Sequence, residues 1–335
     1  GSRSMFSRAL SRALAEELAA GRKAVLLLNQ RGFAKFLLCR ECGFVPECPH
    51  CSTSLTFHES AGTLVCHHCD HSEPLPAVCP QCGSPYLRKF GAGTERVEAE
   101  LRQVVPVDMP VIRMDADTTR EKGAHERLLD EFSSAHGGIL LGTQMIAKGL
   151  DFPDVTLVGV INADTTLKLP DFRASERTFQ LLEQVSGRAG RADKPGHVIV
   201  QTYWPEHPAI CAAAAHDRER FLESELPLRE ELGYPPFTRL ANILVWGRDE
   251  CLVRQVITEV TLAVNSSMVS AGCEWDVLGP APCLLARLRG LYRWHTLVKA
   301  PVDADISAII DPVLKARKAN ADVRVAVDVD PDNLF

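Results

Sequence analysis

Short runs of apolar residues alternate, as far as Tyr203, with segments in which apolar residues recur every three or four positions. The runs predict buried strands, and the recurring pattern predicts amphipathic helices. The predicted strands are Ala24–Leu28, Val111–Asp115, Gly138–Gly142, Val155–Ile161 and His197–Thr202, and the predicted helices are Phe6–Ala20, Glu95–Val104, Lys122–Phe132 and Ser175–Val185. Continuous apolar strands joined by helices indicate a parallel sheet that is covered on both faces.

The pattern changes beyond Pro205. An alanine-rich and acidic stretch from Pro208 to Leu232 predicts a helical segment. The elements after it are a strand at Arg239–Trp246, a helix at Leu252–Met268, strands at Trp275–Leu278 and Tyr292–Ala300, a helix at Asp305–Ala319 and a strand at Val323–Val329. This order is the split βαβ arrangement of ferredoxin-like domains. The predicted fold class is therefore α/β, with a parallel-sheet lobe followed by a smaller α+β domain.

Eight cysteines lie between the first predicted strand and the next helix. They form the pairs Cys39 and Cys42, Cys48 and Cys51, Cys66 and Cys69, and Cys79 and Cys82. Zn²⁺ takes four thiolates in a tetrahedron, and a two-residue spacer lets both sulfurs of a pair reach one ion, so we expect two zinc ions per chain. Nested and sequential pairing both satisfy this coordination, and spacing does not choose between them. A disulfide framework is the alternative, but a chain of 335 residues without a signal peptide is not a small secreted scaffold.

Length and charge narrow the functional class. A chain of 335 residues exceeds the usual limit for one core, so we expect two domains plus the cysteine module. No uninterrupted apolar run approaches about 20 residues, so we expect no membrane span. The formal net charge of -6 argues against a protein that coats DNA by bulk attraction. Any nucleic-acid contact must therefore come from local patches.

Two segments of the parallel-sheet lobe have the chemistry of a phosphate site. Residues Gly142 to Pro153 follow a predicted strand, where ligands of open α/β sheets bind. Residues Gln184 to Arg191 end a predicted helix with two arginines, whose guanidinium groups could neutralise charge on a transferring phosphoryl group. A helix end with solvated charges would explain the second segment taken alone. In order and spacing, the two segments resemble motifs V and VI in the second RecA-like lobe of superfamily 2 helicases.

The wider chain resembles the primosomal protein N′ family of bacterial replication-restart helicases, over nearly everything from Leu26 onward. The resemblance is carried by the cysteine insertion and by Leu28–Ala34, Gly91–Glu95, Asp115–Thr119, Gly142–Gly149, Asp171–Glu176, Leu278–Pro282 and Arg289–Trp294. It implies an ATP-dependent 3′ to 5′ DNA helicase of the bacterial cytoplasm, associated with the nucleoid. The implied partners are branched and single-stranded DNA, primosome proteins and single-stranded DNA-binding protein, and no membrane.

The resemblance also implies roles for individual residues. Its zinc pairing is nested, with Cys39, Cys42, Cys79 and Cys82 on one ion and Cys48, Cys51, Cys66 and Cys69 on the other. Its remaining assignments are Arg188 and Arg191 as catalytic arginines at the ATP phosphates, Gly149, Asp151 and Gln184 on the nucleotide side, and Thr143 at a strand phosphate. With eight cysteines available, His67, His68 and His71 are expected at the surface or behind the ligands rather than on the metal.

The sequence has no Gly-x-x-x-x-Gly-Lys-Ser/Thr segment and no Asp-Glu-x-His box. These segments hold the phosphates and Mg²⁺ in such motors, so we expect that this polypeptide alone hydrolyses no ATP. ATP and Mg²⁺ would bind only together with a first helicase lobe, which we expect, with an amino-terminal DNA-binding domain, to precede residue 1. Asp115 and Asp117 could imitate a metal pair, but we expect one to end a strand and the other to begin a turn.

A basic and aromatic cluster marks the carboxy-terminal domain, which in the family is ribosomal S10-like and helps to bind branched DNA. We expect Arg289, Tyr292, Arg293 and Trp294 to contact DNA, since guanidinium groups bind phosphates and aromatic faces stack on unpaired bases. The alternative is that Tyr292 and Trp294 lie partly in the core and the arginines are solvated.

The expected domain limits are 1–37 for the start of the helicase lobe, 38–86 for the zinc module, 87–228 for the rest of the lobe and 229–335 for the carboxy-terminal domain. A second functional hypothesis is a non-catalytic scaffold that binds DNA and primosome proteins. The arginines at 188 and 191 favour the motor, because a scaffold has no use for two phosphate-seeking side chains in register.

Overall fold

The fold is described from a computed structural model of the chain. The structure describes residues 5–28, 37–39, 41–50, 54–58, 62–66, 70–89, 94–115, 117–146, 154–187, 196–317 and 320–334. No helix within these ranges is long and apolar enough to cross a membrane.

Helix α1 (Arg8–Ala19) and strand β1 (Lys23–Leu27) begin the parallel-sheet lobe. The Ser7 hydroxyl accepts a hydrogen bond from the Leu10 amide at 3.2 Å and so satisfies one of the donors that a helix start leaves free. Leu10 and Leu18 lie on one buried face of the helix, as its amphipathic pattern predicts.

The cysteine module follows β1 and is built from short antiparallel strands. Its strands are β2 (Leu37–Cys39), β3 (Thr56–His58), β4 (Thr63–Val65), β5 (Ser72–Pro74) and β6 (Leu87–Lys89). Strand β2 pairs with β6, whereas β3, β4 and β5 form a separate sheet. The β2–β6 pairing closes the module, because it joins the point where the chain enters to the point where it leaves.

The rest of the lobe alternates helices and strands, as predicted. Its elements are α2 (Thr94–Val104), β7 (Val111–Met114), α3 (Ala124–Ser134), β8 (Gly138–Gly142), β9 (Val155–Val160), α4 (Asp164–Leu167), α5 (Ala174–Ser186) and β10 (His197–Val200), with a 3₁₀ turn at Gln144–Ile146. The five strands are parallel, in the order β10-β9-β1-β8-β7. One hydrophobic cluster joins α1 and α2 to the sheet, and another joins α3 and α5 to it, so both faces are covered.

The segment from Pro208 to Leu232 forms two helices, where the sequence predicted one continuous stretch. Helix α6 (Pro208–Ala215) ends at His216, which has a left-handed φ of 54°. Helix α7 (Arg218–Glu231) follows, with Asp217 as its N-cap residue. The Asp217 carboxylate accepts a hydrogen bond from the Arg220 amide at 2.9 Å. The break lies where a left-handed residue and an N-cap aspartate are adjacent.

The carboxy-terminal domain has the predicted β-α-β-β-α-β order. Its elements are β11 (Thr238–Gly247), α8 (Glu250–Ser270), β12 (Asp276–Leu288), β13 (Leu291–Pro301), α9 (Ile306–Ala316) and β14 (Val323–Val329). The strands form an antiparallel sheet in the order β12-β13-β11-β14, with both helices packed on one face. The predicted fold class is confirmed for the lobe, the cysteine module and this domain.

Strand β12 differs from its prediction, because it continues to Leu288 instead of ending at Leu278. Pro282 lies opposite Trp294, whereas Arg287 lies opposite Tyr292, so extra residues of β12 bulge out between these two pairs. A bulge breaks the two-residue period on which strand prediction depends. Leu284 in the bulge belongs to a small buried cluster with Leu169 and Ala174 of the lobe.

Candidate functional site

Two turns of the cysteine module share one hydrogen-bond pattern. The Cys39 amide donates to the Phe44 carbonyl at 2.8 Å, and the Gly43 amide donates back to the Cys39 carbonyl at 2.9 Å. The turn that begins at Cys79 repeats both bonds, each at 2.8 Å. Gly43 and Gly83 occupy equivalent positions with φ of 81° and 72°, a conformation that glycine adopts without a steric penalty.

The four sulfurs of these turns lie together. The Sγ atoms of Cys39, Cys42, Cys79 and Cys82 are all within 4.8 Å of one another. Cys39 and Cys82 are 3.6 Å apart, and Cys42 and Cys79 are 3.7 Å apart. Four thiolates at about 2.3 Å from a zinc ion are about 3.8 Å from one another, so the cluster has the dimensions of a tetrahedral site. A disulfide would need about 2.05 Å, and the four cysteines are free thiols.

Backbone amides favour a thiolate at one of these cysteines. Burial raises the pKa of Cys39, but the amides of Cys42 and Glu41, with the neighbouring thiols, outweigh it and lower the pKa to about 7. The pKa of Cys82 is raised to about 12, although the Ser84 amide lowers it, because of burial and the surrounding thiols. Since zinc binds thiolates, metal binding at this cluster must release protons.

The second set of cysteines is described only in part. Cys48 and Cys66 are buried in one hydrophobic cluster with Leu55 and Leu64. Cys66 begins a third turn of the same kind, since its amide donates to the His71 carbonyl at 2.8 Å and its carbonyl accepts from Asp70 at 3.1 Å. The other two expected members of the second set, Cys51 and Cys69, lie outside the described residues. The neighbouring His67 and His68 also lie outside them.

The nucleotide-facing segments are also described in part. Thr143 is half-buried directly after β8, and Gln184 is exposed in the last turn of α5. Ile146 and Val185, which flank these positions, belong to the same hydrophobic cluster of the lobe. The remaining predicted residues of this site, Gly149, Asp151, Arg188 and Arg191, lie outside the described ranges, and all the assigned roles stay predictions.

Asp115 directly follows the last residue of β7, and Asp117 lies in the turn after it, one residue away from the expected strand end. The Asp115 carboxylate accepts from the Thr94 hydroxyl at 2.5 Å and from the amides of Asp117 and Thr118 at 2.9 and 3.0 Å. Burial raises the pKa of Asp115, but these hydrogen bonds and Arg113 outweigh it and lower the pKa below its usual range.

The predicted DNA-binding cluster is divided between the two faces of the carboxy-terminal sheet. Side chains alternate along a strand, so Tyr292 and Trp294 point towards the helices and Arg293 points away from them. Trp294 is a correction to the prediction, since its side chain is 7% exposed within the core and has no free face for a base. The Arg254 guanidinium lies 5.5 Å from its ring centroid, and Arg287 lies 5.1 Å from that of Tyr292.

The sequence pattern assigns no role to the Asp171–Arg177 segment of the lobe. In the structure, this segment forms hydrogen bonds with the carboxy-terminal domain. The side chain of Asp171 is fully buried and accepts from Arg177 at 2.9 Å. Arg173 and Arg177 also donate to backbone carbonyls of the terminal segment, at Pro331 and Asp332. The available signal was an aspartate shortly before a predicted helix, with one arginine just before that helix and another in its first turn.

The cysteine module also has a junction with the lobe that the sequence did not reveal. Lys168 forms an ion pair with Glu47 of the module at 2.8 Å and lies 4.5 Å from the ring centroid of Trp204. The Gly43 turn lies directly against Tyr203. A cavity of about 390 Å³ lies beside this contact, lined by residues of the module, the lobe and α7.

Three family models match parts of the chain. Residues 230–332 match the primosomal protein N C-terminal domain, residues 48–74 match the PriA DNA helicase Cys-rich region, and residues 90–193 match the helicase conserved C-terminal domain. The Cys-rich match contains all four cysteines of the second set.

The chain is also similar along its whole length to curated proteins. It is 48% identical over 334 residues to the replication restart protein PriA of Bacillus subtilis, a match that covers 99% of this chain and 41% of the relative. The PriA proteins of Synechocystis and Haemophilus influenzae are 44% and 39% identical over 99% and 98% of the chain. The chain belongs to the PriA family. It spans less than half the length of these PriA relatives, at 41%, 40% and 45%.

Proposed function

We propose that the chain is the carboxy-terminal portion of an ATP-dependent 3′ to 5′ DNA helicase that binds branched replication forks and initiates primosome assembly. The observation that carries the proposal is the insertion of a four-thiolate cluster into a parallel-sheet lobe that matches the helicase C-terminal domain. The names of the PriA relatives support the assignment to replication restart.

Within this proposal, the two arginines that follow α5 in the sequence act on ATP. Arg188 and Arg191 neutralise the phosphates, while Gly149, Asp151 and Gln184 face the nucleotide. Thr143 contacts a phosphate of the DNA strand. Thr143 lies directly after β8 and Gln184 lies in the last turn of α5, which supports these roles, since open α/β sheets bind ligands beyond the strand ends.

The zinc ions have a structural role in the proposal. Cys39, Cys42, Cys79 and Cys82 would hold one ion, and Cys48, Cys51, Cys66 and Cys69 would hold the second. A site with four protein thiolates leaves no coordination position for a substrate, so its contribution is folding energy. The ions hold the module in shape as an element for strand separation or partner docking.

The polypeptide alone is proposed to hydrolyse no ATP, because its 335 residues contain no phosphate-binding Gly-Lys loop. This observation also favours a second candidate function, a non-catalytic scaffold that binds DNA, primosome proteins and single-stranded DNA-binding protein. Both candidates require DNA binding, and only the motor requires the two arginines.

The deciding experiment uses the parent protein with a phosphate-binding lobe present. In the motor, Arg188→Ala and Arg191→Ala should each lower DNA-stimulated ATP hydrolysis by about 10³- to 10⁵-fold while forked-DNA binding persists. Arg127→Ala removes the same charge from an exposed position of α3 and should leave hydrolysis unchanged. Undiminished hydrolysis in both arginine variants would contradict the role proposed for the two arginines. A parent that binds forked DNA and hydrolyses no ATP would contradict the motor and support the scaffold.

A further inference from the structure

One row of side chains crosses the carboxy-terminal sheet at its open end. Trp246 of β11 lies directly opposite Arg293 of β13 on one side and Arg324 of β14 on the other. The preceding residue, Val245, packs among the core residues beneath α8. Because successive side chains of a strand point to opposite faces, the row lies on the face away from the helices.

This row is accessible. Trp246 and Arg293 are half-buried, and Arg324 is exposed. The next row along the face contains half-buried Leu244 and exposed Ala326. This end of the face therefore presents an aromatic ring between two arginines, with the small side chain of Ala326 in the next row.

The charge of the row is not neutralised within the described part of the chain. Neither Arg293 nor Arg324 forms an ion pair with an acidic residue there, although most arginines near the domain junction do. Two acidic residues of the same face, Asp328 opposite Asn242 and Asp276 opposite Lys299, lie towards the other end of the sheet. Two guanidinium groups without acidic partners are a local cationic patch on a chain of net charge -6.

We propose that the Arg293–Trp246–Arg324 row binds unpaired nucleotides, with the indole stacked on a base and the guanidinium groups on the flanking phosphates. The inference rests on the proposed DNA-binding function and names the residues that would contact single-stranded DNA.

The geometry fits a single strand. Neighbouring strands lie about 4.8 Å apart, so the two arginines flank the ring at about that distance on either side. Four-stranded sheets with exposed aromatic side chains stack bases in this way in RNA-recognition modules. In a duplex the base faces are already stacked on each other, so a half-buried indole offers it little. An acidic peptide would need the guanidinium groups and would make no use of a central ring.

The test measures binding of a labelled oligothymidine of about 12 nucleotides to the complete 335-residue chain by fluorescence anisotropy. Trp246→Ala should weaken binding about 5- to 150-fold, the range spanned by loss of one stacked base. Trp246→Phe keeps an aromatic face and should retain most of the affinity. Lys315→Ala removes a positive charge from α9, on the other side of the sheet, and should bind like the unaltered chain.

Two further readouts separate stacking from a merely structural effect. An abasic strand with the same phosphates should bind the unaltered chain and Trp246→Ala equally. Oligothymidine should quench the tryptophan fluorescence of the unaltered chain, and Trp246→Phe should lose that quenching while the other tryptophans remain. Arg293→Ala and Arg324→Ala should each reduce the salt dependence of binding by about one phosphate contact.

The outcomes are distinguishable. If the chain binds forked DNA but Trp246→Ala, Trp246→Phe and Arg324→Ala all bind oligothymidine with unchanged affinity and quenching, the inference is overturned and the proposed function stands. If the chain binds no DNA, both fail. If an acidic peptide binds and Trp246→Ala weakens it as much as the oligonucleotide, the face is a peptide site and the inference is overturned. Should Trp246→Ala fold poorly, Trp246→Phe and exposed Arg324→Ala still decide the question.

Discussion

The seating of the cysteine module on the helicase lobe can be tested with two matched glycine substitutions. Gly43 and Gly83 hold equivalent positions in their turns, with φ of 81° and 72°. A Cβ added at Gly43 would lie 2.8 Å from the Cβ of Tyr203, whereas a Cβ added at Gly83 would meet nothing within 4 Å. Gly43→Ala and Gly83→Ala therefore both place an alanine in the left-handed conformation, and only Gly43→Ala disturbs the contact with Tyr203.

The magnitudes follow from these two differences. An alanine held in the left-handed region costs about 1 to 2 kcal/mol, and this applies to both variants. A Cβ of Tyr203 is fixed to the backbone and cannot rotate away, so Gly43→Ala must displace the turn or the segment after β10. Overpacking of this kind costs about 1 to 3 kcal/mol, which is the expected excess for Gly43→Ala in the free energy of unfolding.

The assay is denaturant unfolding of the zinc-loaded chain, with the rate of zinc release to a chelator measured in parallel. Tyr203→Ala keeps the Cβ and should not relieve Gly43→Ala, whereas Tyr203→Gly removes the clash and should reduce the excess. Equal destabilisation by Gly43→Ala and Gly83→Ala would refute the seating of this turn on Tyr203.

Three further predictions concern other contacts. Arg177→Ala should lower the free energy of unfolding by about 3 to 5 kcal/mol, because it leaves the buried carboxylate of Asp171 without its ion-pair partner; calorimetry that shows no loss would contradict the pairing. Burial, with a contribution from nearby Lys168, lowers the pKa of His207 to about 4 from an ordinary value of 6.5, so the unfolded chain takes up a proton first and stability should fall as pH drops from 6.5 towards 4. His207→Asn should flatten that part of the stability profile, because asparagine does not titrate and its side-chain oxygen can still accept from the Ala209 amide. An unchanged slope of stability against pH would contradict this prediction. Asp70→Gly should be neutral or stabilising in thermal unfolding, because Asp70 has a left-handed φ of 60° in the third cysteine turn, and a large loss would show that its side chain is needed there.

Local patterns in the sequence were sufficient for most of the fold. The apolar runs around Val25, Leu140 and Val158 predicted strands that pair in one parallel sheet, and the two-residue cysteine spacing predicted the metal-binding turns. Each of these depends on residues a few positions apart, which a periodic pattern records.

The contacts that the sequence did not reveal join residues far apart in the chain. The bulge in β12 was missed because its extra residues abandon the two-residue period, although it allows Leu284 to reach the lobe. The neighbouring Arg293 and Trp294 predict one DNA surface from the sequence, but adjacent residues of a strand lie on opposite faces of the sheet. The sequence around Trp246 shows no basic cluster, because its arginine neighbours come from two other strands.

The central claim is that nested cysteine pairs bind two zinc ions in a module inserted into the helicase lobe. Metal analysis of the intact chain under reducing conditions should find two zinc ions per protein, and Cys211→Ser should leave that number unchanged. The variant that combines Cys39→Ser and Cys79→Ser should retain one ion under nested pairing, since both changes fall in the four-thiolate cluster. Loss of both ions from that variant, or fewer than two in the unaltered chain, would contradict the account.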